Sequence, residues 1–228
     1  MRRKLTAALL TAAMAISLTA CGGSGDTASA GASTGETASV TEAGGTTTAS
    51  GKEVLRVAMS ADYAPFDWLQ EDDSNGAVMT SNGSYMNGYD VLVAKYIAEK
   101  LDMDLEITQI DWDGLILSIQ SGKVDCAIAG MSITSERSQS VDFSDPYYNA
   151  NIVAVVAADG PYADAVNVTD FEGGTGFEVS NEETDLGIPC QKGNTELVDK
   201  INEVLAGLSQ EDRDAMMDQA VASQPVSN

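Results

Sequence analysis

Apolar positions along this chain switch between two periods. "EVLRVAM" (53–59) carries Val54, Leu55, Val57 and Met59 in a short apolar run, which predicts a strand. "YDVLVAKYIAEKLD" (89–102) places Val91, Ala94, Ala98 and Leu101 at helical spacing and predicts a helix. "LEITQI" (105–110) alternates as a strand does. "DWDGLILSIQSG" (111–122) runs apolar through Leu115, Ile116 and Ile119 and stops at Gly122, a helix ending on its glycine. "KVDCAIAG" (123–130) and "NIVAVVAA" (151–158) are two further apolar strands. "TELVDKINEVLAGL" (195–208) is a helix capped by Thr195 with Leu197, Ile201, Leu205 and Leu208 inward; Ser209 and Asp212 then open a last helix, 210–222. Residues 70–87 are polar and rich in Gly and Asn, and predict a long loop.

Strand, helix, strand, helix, strand implies an α/β fold with parallel pairing. Ligands in such sheets bind beyond the carboxyl ends of the strands. Three loops meet that description: 60–68, 111–114 and 130–137. The first supplies Tyr63, Phe66 and Trp68, and the second Trp112. These aromatic side chains either flank a small organic ligand or, for Phe66 and Trp68 as readily, belong to the core. The third, "GMSITSER" (130–137), combines Gly130, the Ser132 hydroxyl, a capping Thr134 and Arg137. A helix starting at Ser135 would offer N–H groups to an anion, and Arg137 a two-pronged pair to one carboxylate. The alternative is that Arg137 pairs with Asp142 or Glu136 on the surface.

The chain ends and the composition add a compartment. Basic "MRRK" precedes an uncharged apolar run, Leu5 to Leu18, and reads as a secretory signal, 1–20, too short to span a bilayer comfortably as a mature helix. "LTAC" (18–21) resembles the bacterial lipobox, a resemblance that implies Cys21 as a lipid anchor on the extracytoplasmic face of the cell membrane. Residues 21–50, nearly all Gly, Ser, Thr and Ala, form a flexible tether. A net charge of −23 argues against nucleic acid and against an anionic membrane surface as direct partners. The chain has no histidine, which removes the usual general base and the commonest metal ligand. Cys126 and Cys190 either pair or stand as separate buried thiols.

"ADYAPFDW", "NGYDVLVAKYIAEKL", "DWDGLILSIQSGKVDCAIAGMSITSERSQSVDFSDPYY" and "KGNTELVDKINEVL" resemble the bacterial family 3 solute-binding proteins, the amino-acid-binding components of ABC importers. The resemblance implies a type II periplasmic-binding-protein fold: two α/β lobes, each a mixed, mostly parallel sheet flanked by helices, closing on the ligand. It implies that Arg137 and Ser132 hold the α-carboxylate of a polar amino acid and that the backbone at Gly130 and Met131 takes part. Tyr63, Phe66 and Trp112 line the side-chain pocket. The partners it implies are the amino acid and an ABC transporter permease, with no cofactor, no metal and no catalysis; the chain is read as a monomer.

One departure stands out. Residues 51–158 and 186–228 make one ligand-binding lobe, but only 159–185 lie between them, which is 27 residues. "VTDFEGG" (168–174) resembles the start of the family's second lobe and "GFEVSNEETDLGI" (176–188) its end. The second lobe is therefore expected to be a remnant. Its acidic residue for the ligand's α-ammonium is expected to be missing, and Asp170, Glu172 and Glu178 are not assumed to take its place.

Overall fold

The computed structural model describes residues 51–151, 157, 159–160 and 180–225. The signal, the tether, Cys21, most of the strand expected at 151–158 and residues 161–179 of the expected remnant lie outside the described residues. In chain order the strands are β1 (Val54–Met59), β2 (Asp62–Tyr63), β3 (Asp67–Gln70), β4 (Val78–Met79), β5 (Tyr85–Asn87), β6 (Asp104–Gln109), β7 (Cys126–Ala127), β8 (Val141–Phe143), β9 (Tyr148–Asn149), β10 (Asp185–Leu186) and β11 (Pro189–Gln191). The helices are α1 (Tyr89–Lys100), α2 (Leu115–Gln120), α3 (Asn181–Thr184), α4 (Thr195–Ala206) and α5 (Gln210–Ser223).

The central sheet has five strands in the order β6-β1-β7-β11-β8. β1 pairs in parallel with β6 from Val54↔Asp104 to Met59↔Gln109, and with β7 through Val57↔Cys126 and Ala58↔Ala127. β11 returns antiparallel between β7 and β8. The sheet is thus mixed and mostly parallel, as the alternation of strands and helices predicts. Side chains of β1 alternate between two cores. Leu55, Val57 and Met59 face a larger one with α1 residues such as Val93 and Ile97, Ile201 and Leu205 of α4, and Ala220 of α5. Ala58 faces a smaller one with Leu115 and Ile119 of α2 and Val141 of β8.

The structure corrects two local expectations and decides one open alternative. Residues 70–87 are not one long loop: β4 and β5 join β2 and β3 in a small sheet, β2-β3-β5-β4. Strands of two or three residues are too short to show a period, so the polar composition hid them. Asn194, not Thr195, caps α4, its side chain accepting the Leu197 N–H at 3.3 Å. Cys126 and Cys190 are directly opposed across β7 and β11, both buried in the larger core, and both are free thiols.

One close approach holds the aromatic loop to the start of α1. The first amides of α1 have no partner within the helix. Here Tyr89 N–H donates to the Pro65 carbonyl at 3.0 Å and Asp90 N–H to the Phe66 carbonyl at 2.9 Å. Gly88, at φ +134°, makes this possible, because a Cβ there would meet the Phe66 carbonyl oxygen at 2.1 Å. Gly88→Ala is therefore expected to destabilise the fold by about 3 kcal/mol, combining left-handed strain with a clash against backbone. A denaturant midpoint equal to that of the wild type would refute this account.

Candidate functional site

β1, β6 and β7 run parallel and in register, so their carboxyl ends meet at one sheet edge. The three loops expected to build a site leave from that edge. Within the first, Asp67 shapes the turn: it is buried, and its carboxylate accepts the N–H of Ala61 at 2.9 Å, of Ser60 at 3.2 Å and of Tyr63 at 3.3 Å. The turn presents Tyr63 outward, 48% exposed, stacked on Phe66 with ring centroids 5.0 Å apart. Phe66 is 8% exposed and meets Tyr148 edge-on at 5.2 Å. Trp68 is buried and belongs to the core.

The aromatic pair lies against the loop after β7. A Cβ on Gly130, at φ +60°, would meet Tyr63 Cε1 at 2.6 Å and Phe66 Cγ at 3.7 Å. Only glycine lets the backbone adopt that conformation beneath the Tyr63 ring without strain. On the other side of the same loop, the Arg137 guanidinium stands 5.6 Å from the centre of the Trp112 ring. Trp112 is 39% exposed and starts the short turn 112–114 after β6. Arg137 Nη1 donates to the Ser132 carbonyl at 2.8 Å. The structure so brings Tyr63, Phe66 and Gly130 into one contact group and Trp112, Ser132 and Arg137 into another. Residues 130–132 link the two.

One expectation at this edge is corrected. No α-helix starts at Ser135. Thr134 Oγ1 does accept the Arg137 N–H at 3.2 Å, but the turn is a single 3₁₀ turn, Arg137–Gln139, before the chain enters β8. Ser138 bonds back to the Thr134 carbonyl at 2.8 Å, the local hydroxyl bonding that competes with helix continuation. The Ser135 N–H is not open to a ligand either, because Glu182 Oε1 accepts it at 2.9 Å. The Ser135 and Arg137 amides are thus both taken within the protein. Met131 is expected to take part through its backbone. Its side chain is buried in the smaller core and its carbonyl accepts the Gly187 N–H at 3.0 Å, so neither faces a ligand. The surface pairing considered for Arg137 is not formed: Asp142 is held by Lys192 at 2.5 Å and by the Gly193 N–H. None of the ion pairs among the described residues involves Arg137.

Sequence reasoning overlooked two buried acids behind the site. Asp90 of α1 accepts the Tyr147 hydroxyl at 2.8 Å, and that hydroxyl accepts the Gly130 N–H at 3.0 Å. Asp90, Ala94 and Ile97 fall on one helical stripe, and an acid on an apolar stripe was the available signal. Burial first, and Asp67 next, hold the Asp90 carboxyl well above the ordinary carboxylate range. Burial outweighs the hydrogen bonds of Asp67 and raises it as well. Burial raises Tyr147 far above an ordinary phenol and Tyr89 to about 12.

The chain matches the bacterial extracellular solute-binding proteins, family 3, over residues 55–219. It is 37% identical over 110 residues to the arginine-binding extracellular protein ArtP of Bacillus subtilis, covering 48% of this chain and 38% of that one. It is 34% identical over 156 residues to a probable histidine-binding protein of Neisseria gonorrhoeae, covering 68% of this chain and 47% of that one. The chain thus spans less than half the length of these curated relatives. A crystal structure of an amino acid ABC transporter substrate-binding protein from Streptococcus pneumoniae, bound to L-arginine, superposes with a TM-score of 0.59. That likeness covers 76% of this chain and 95% of that one at 21% identity, and it speaks to the fold alone.

The raised carboxyls give stability a sign with pH. A carboxyl whose folded value lies above its unfolded value contributes stability in full at low pH, and the contribution is lost as pH rises through the folded value. Asp67, Tyr89, Tyr147 and Arg213 are the titratable groups that act on or pack around Asp90. Thermal melts between about pH 4 and pH 8 are expected to show the wild type losing stability upward, with a flatter curve for Asp90→Asn. Parallel curves would contradict the burial argument. With a sheet edge that gathers a glycine, stacked aromatics and one arginine, and a sequence match across most of the described residues, this chain belongs to the family 3 bacterial extracellular solute-binding proteins.

Proposed function

We propose that the chain is the extracytoplasmic substrate-binding component of an ABC importer for polar amino acids. The observation that carries the reading is the placement of Arg137. Its guanidinium stands over the Trp112 ring at the carboxyl edge of a parallel sheet and is bound to the Ser132 carbonyl. A ligand carboxylate can pair with the guanidinium donors not used on Ser132, and in this reading Ser132 adds its hydroxyl to the same carboxylate. Tyr63, stacked on Phe66, borders the same loop and offers an apolar wall for the ligand's side chain. The relatives named as arginine- or histidine-binding make L-arginine and L-histidine the first ligands to test. Delivery to a permease and tethering through a lipid on Cys21 complete this reading, with the protein held at the outer face of the cell membrane as a monomer.

A second reading is a shortened binding fold or surface interaction module without transport competence. What favours it is the length of 159–185, 27 residues where the resemblance implies a second lobe. A lobe of that size cannot bury a core of its own. A site open on one side leaves the Arg137 pair in water, where it is worth far less than in a closed cleft.

Calorimetry of the chain without residues 1–21, against a panel of polar amino acids, separates the two. Micromolar binding of one of them supports the first reading; no binding to any supports the second. Where binding is found, Arg137→Ala is expected to weaken it roughly 10- to 100-fold, the loss of a charge-assisted hydrogen-bonded pair. An unchanged Kd would remove Arg137 from the site. Cys21→Ala is expected to release the protein from the membrane fraction into the soluble one. Retention of the variant in the membrane would exclude this cysteine as the anchor.

A further inference from the structure

The loop that carries Gly130, Ser132 and Arg137 is held from behind by two side chains that face no solvent. Gly130 N–H donates to the Tyr147 hydroxyl at 3.0 Å, and the hydroxyl donates to Asp90 Oδ1 at 2.8 Å. Both side chains are buried. The other carboxylate oxygen, Asp90 Oδ2, has no hydrogen-bond partner among the described residues. An acid buried with one oxygen unused costs stability that an apolar residue on this helix stripe would not. Packing therefore does not account for Asp90; the hydrogen bond to Tyr147 is what it supplies.

That bond has a directional consequence. Ionised, or with its proton on the unpartnered Oδ2, the carboxyl accepts at Oδ1, and so it fixes the hydroxyl as a donor toward α1. The hydroxyl then turns a lone pair to Gly130 and can only accept there. A flipped Gly130 peptide, with a carbonyl toward Tyr147, would meet that lone pair instead of a proton. The constraint matters at this residue because Gly130 has the backbone freedom to flip, at φ +60°, and lies against the Tyr63 ring. Around the relay stand Asp67 on β3, Tyr89 on α1, Tyr148 on β9 and Arg213 on α5. Arg213 Nη1 reaches the Tyr147 carbonyl rather than its hydroxyl, as does the Tyr89 hydroxyl at 3.2 Å. Both brace the Tyr147 backbone and leave the hydroxyl to Asp90 and Gly130.

We propose that Asp90 and Tyr147 are positioning residues of the amino-acid site, holding the Gly130 peptide in the single orientation that seats Tyr63 above it and Ser132 beside Arg137. This deepens the solute-binding reading above and rests on it for the affinity arm of the test only.

The test follows two signals in the chain without residues 1–21: the ¹H–¹⁵N resonance of the Gly130 amide without ligand, and the Kd for L-arginine and L-histidine by calorimetry. Tyr147→Phe removes the acceptor and is expected to shift the Gly130 proton upfield and to weaken binding about fivefold. Asp90→Asn keeps an acceptor for the hydroxyl and is expected to hold both signals near wild type. Asp90→Leu removes the acceptor and is expected to follow Tyr147→Phe. A purely structural role predicts lower melting temperatures with the Gly130 resonance and the Kd unmoved in every variant, and that result overturns the proposal. If Tyr147→Phe does not fold, the contrast between Asp90→Asn and Asp90→Leu decides. If the wild type binds neither amino acid, the affinity arm fails with the solute-binding reading. The Gly130 resonance then still reports on the positioning: moved by Tyr147→Phe it supports the relay, unmoved it overturns it.

Discussion

Parallel pairing of β1 with both β6 and β7 is the constraint from which the rest of the molecule follows. Residues 54–59 match 104–109 step for step, and Val57 and Ala58 match Cys126 and Ala127 on the other side. A slip of one residue would exchange the two faces of β1 and put Ala58 where Val57 fills the larger core. The same register sets the height at which each strand ends. The loops carrying Tyr63, Trp112 and Gly130 meet because their strands stop together. Burial enforces the register, and the register assembles the edge.

Polar groups at that edge are held by other polar groups set deeper in the fold. Asp67 gathers three amides of the aromatic loop, and the first amides of α1 grip the Pro65 and Phe66 carbonyls. Asp90 and Tyr147 reach the Gly130 amide from beneath. Buried acids are unfavourable by themselves, so each is present for what it orders. The edge is consequently stiff behind Tyr63 and Gly130. Arg137 differs: among the described residues its side chain is fastened by one hydrogen bond and one ring contact, which leaves guanidinium donors unused there.

Much of this was legible in the sequence. The amphipathic runs at 89–102 and 195–208 and the short apolar strands place α1, α4 and the parallel sheet, because those periods reflect burial on one face. The site loops follow from where the strands end. Other parts were not legible. Strands of two or three residues between 78 and 87 carry no readable period. The pattern from Thr134 onward looks like a helix start, but the turn ends at Gln139, with Ser138 bonded back to Thr134, and the chain enters β8. Met131 sits between two site residues yet points into the smaller core, since neighbouring residues on extended backbone face opposite ways.

The sequence by itself determined the α/β class, the order of its elements, the three loops and the identity of Arg137, Tyr63, Phe66 and Trp112 as candidates. Each of these depends on local pattern, or on residue type at a predicted strand end. Only the tertiary structure decided which candidates touch. It put Tyr63 on Gly130, Trp112 beneath Arg137, Glu182 on the Ser135 amide, and Asp90 behind them through Tyr147. The partners in those contacts lie 25 to 67 positions apart. Contacts across such separations leave no periodic trace in a single chain; they exist because packing against a shared sheet brings distant segments to one edge.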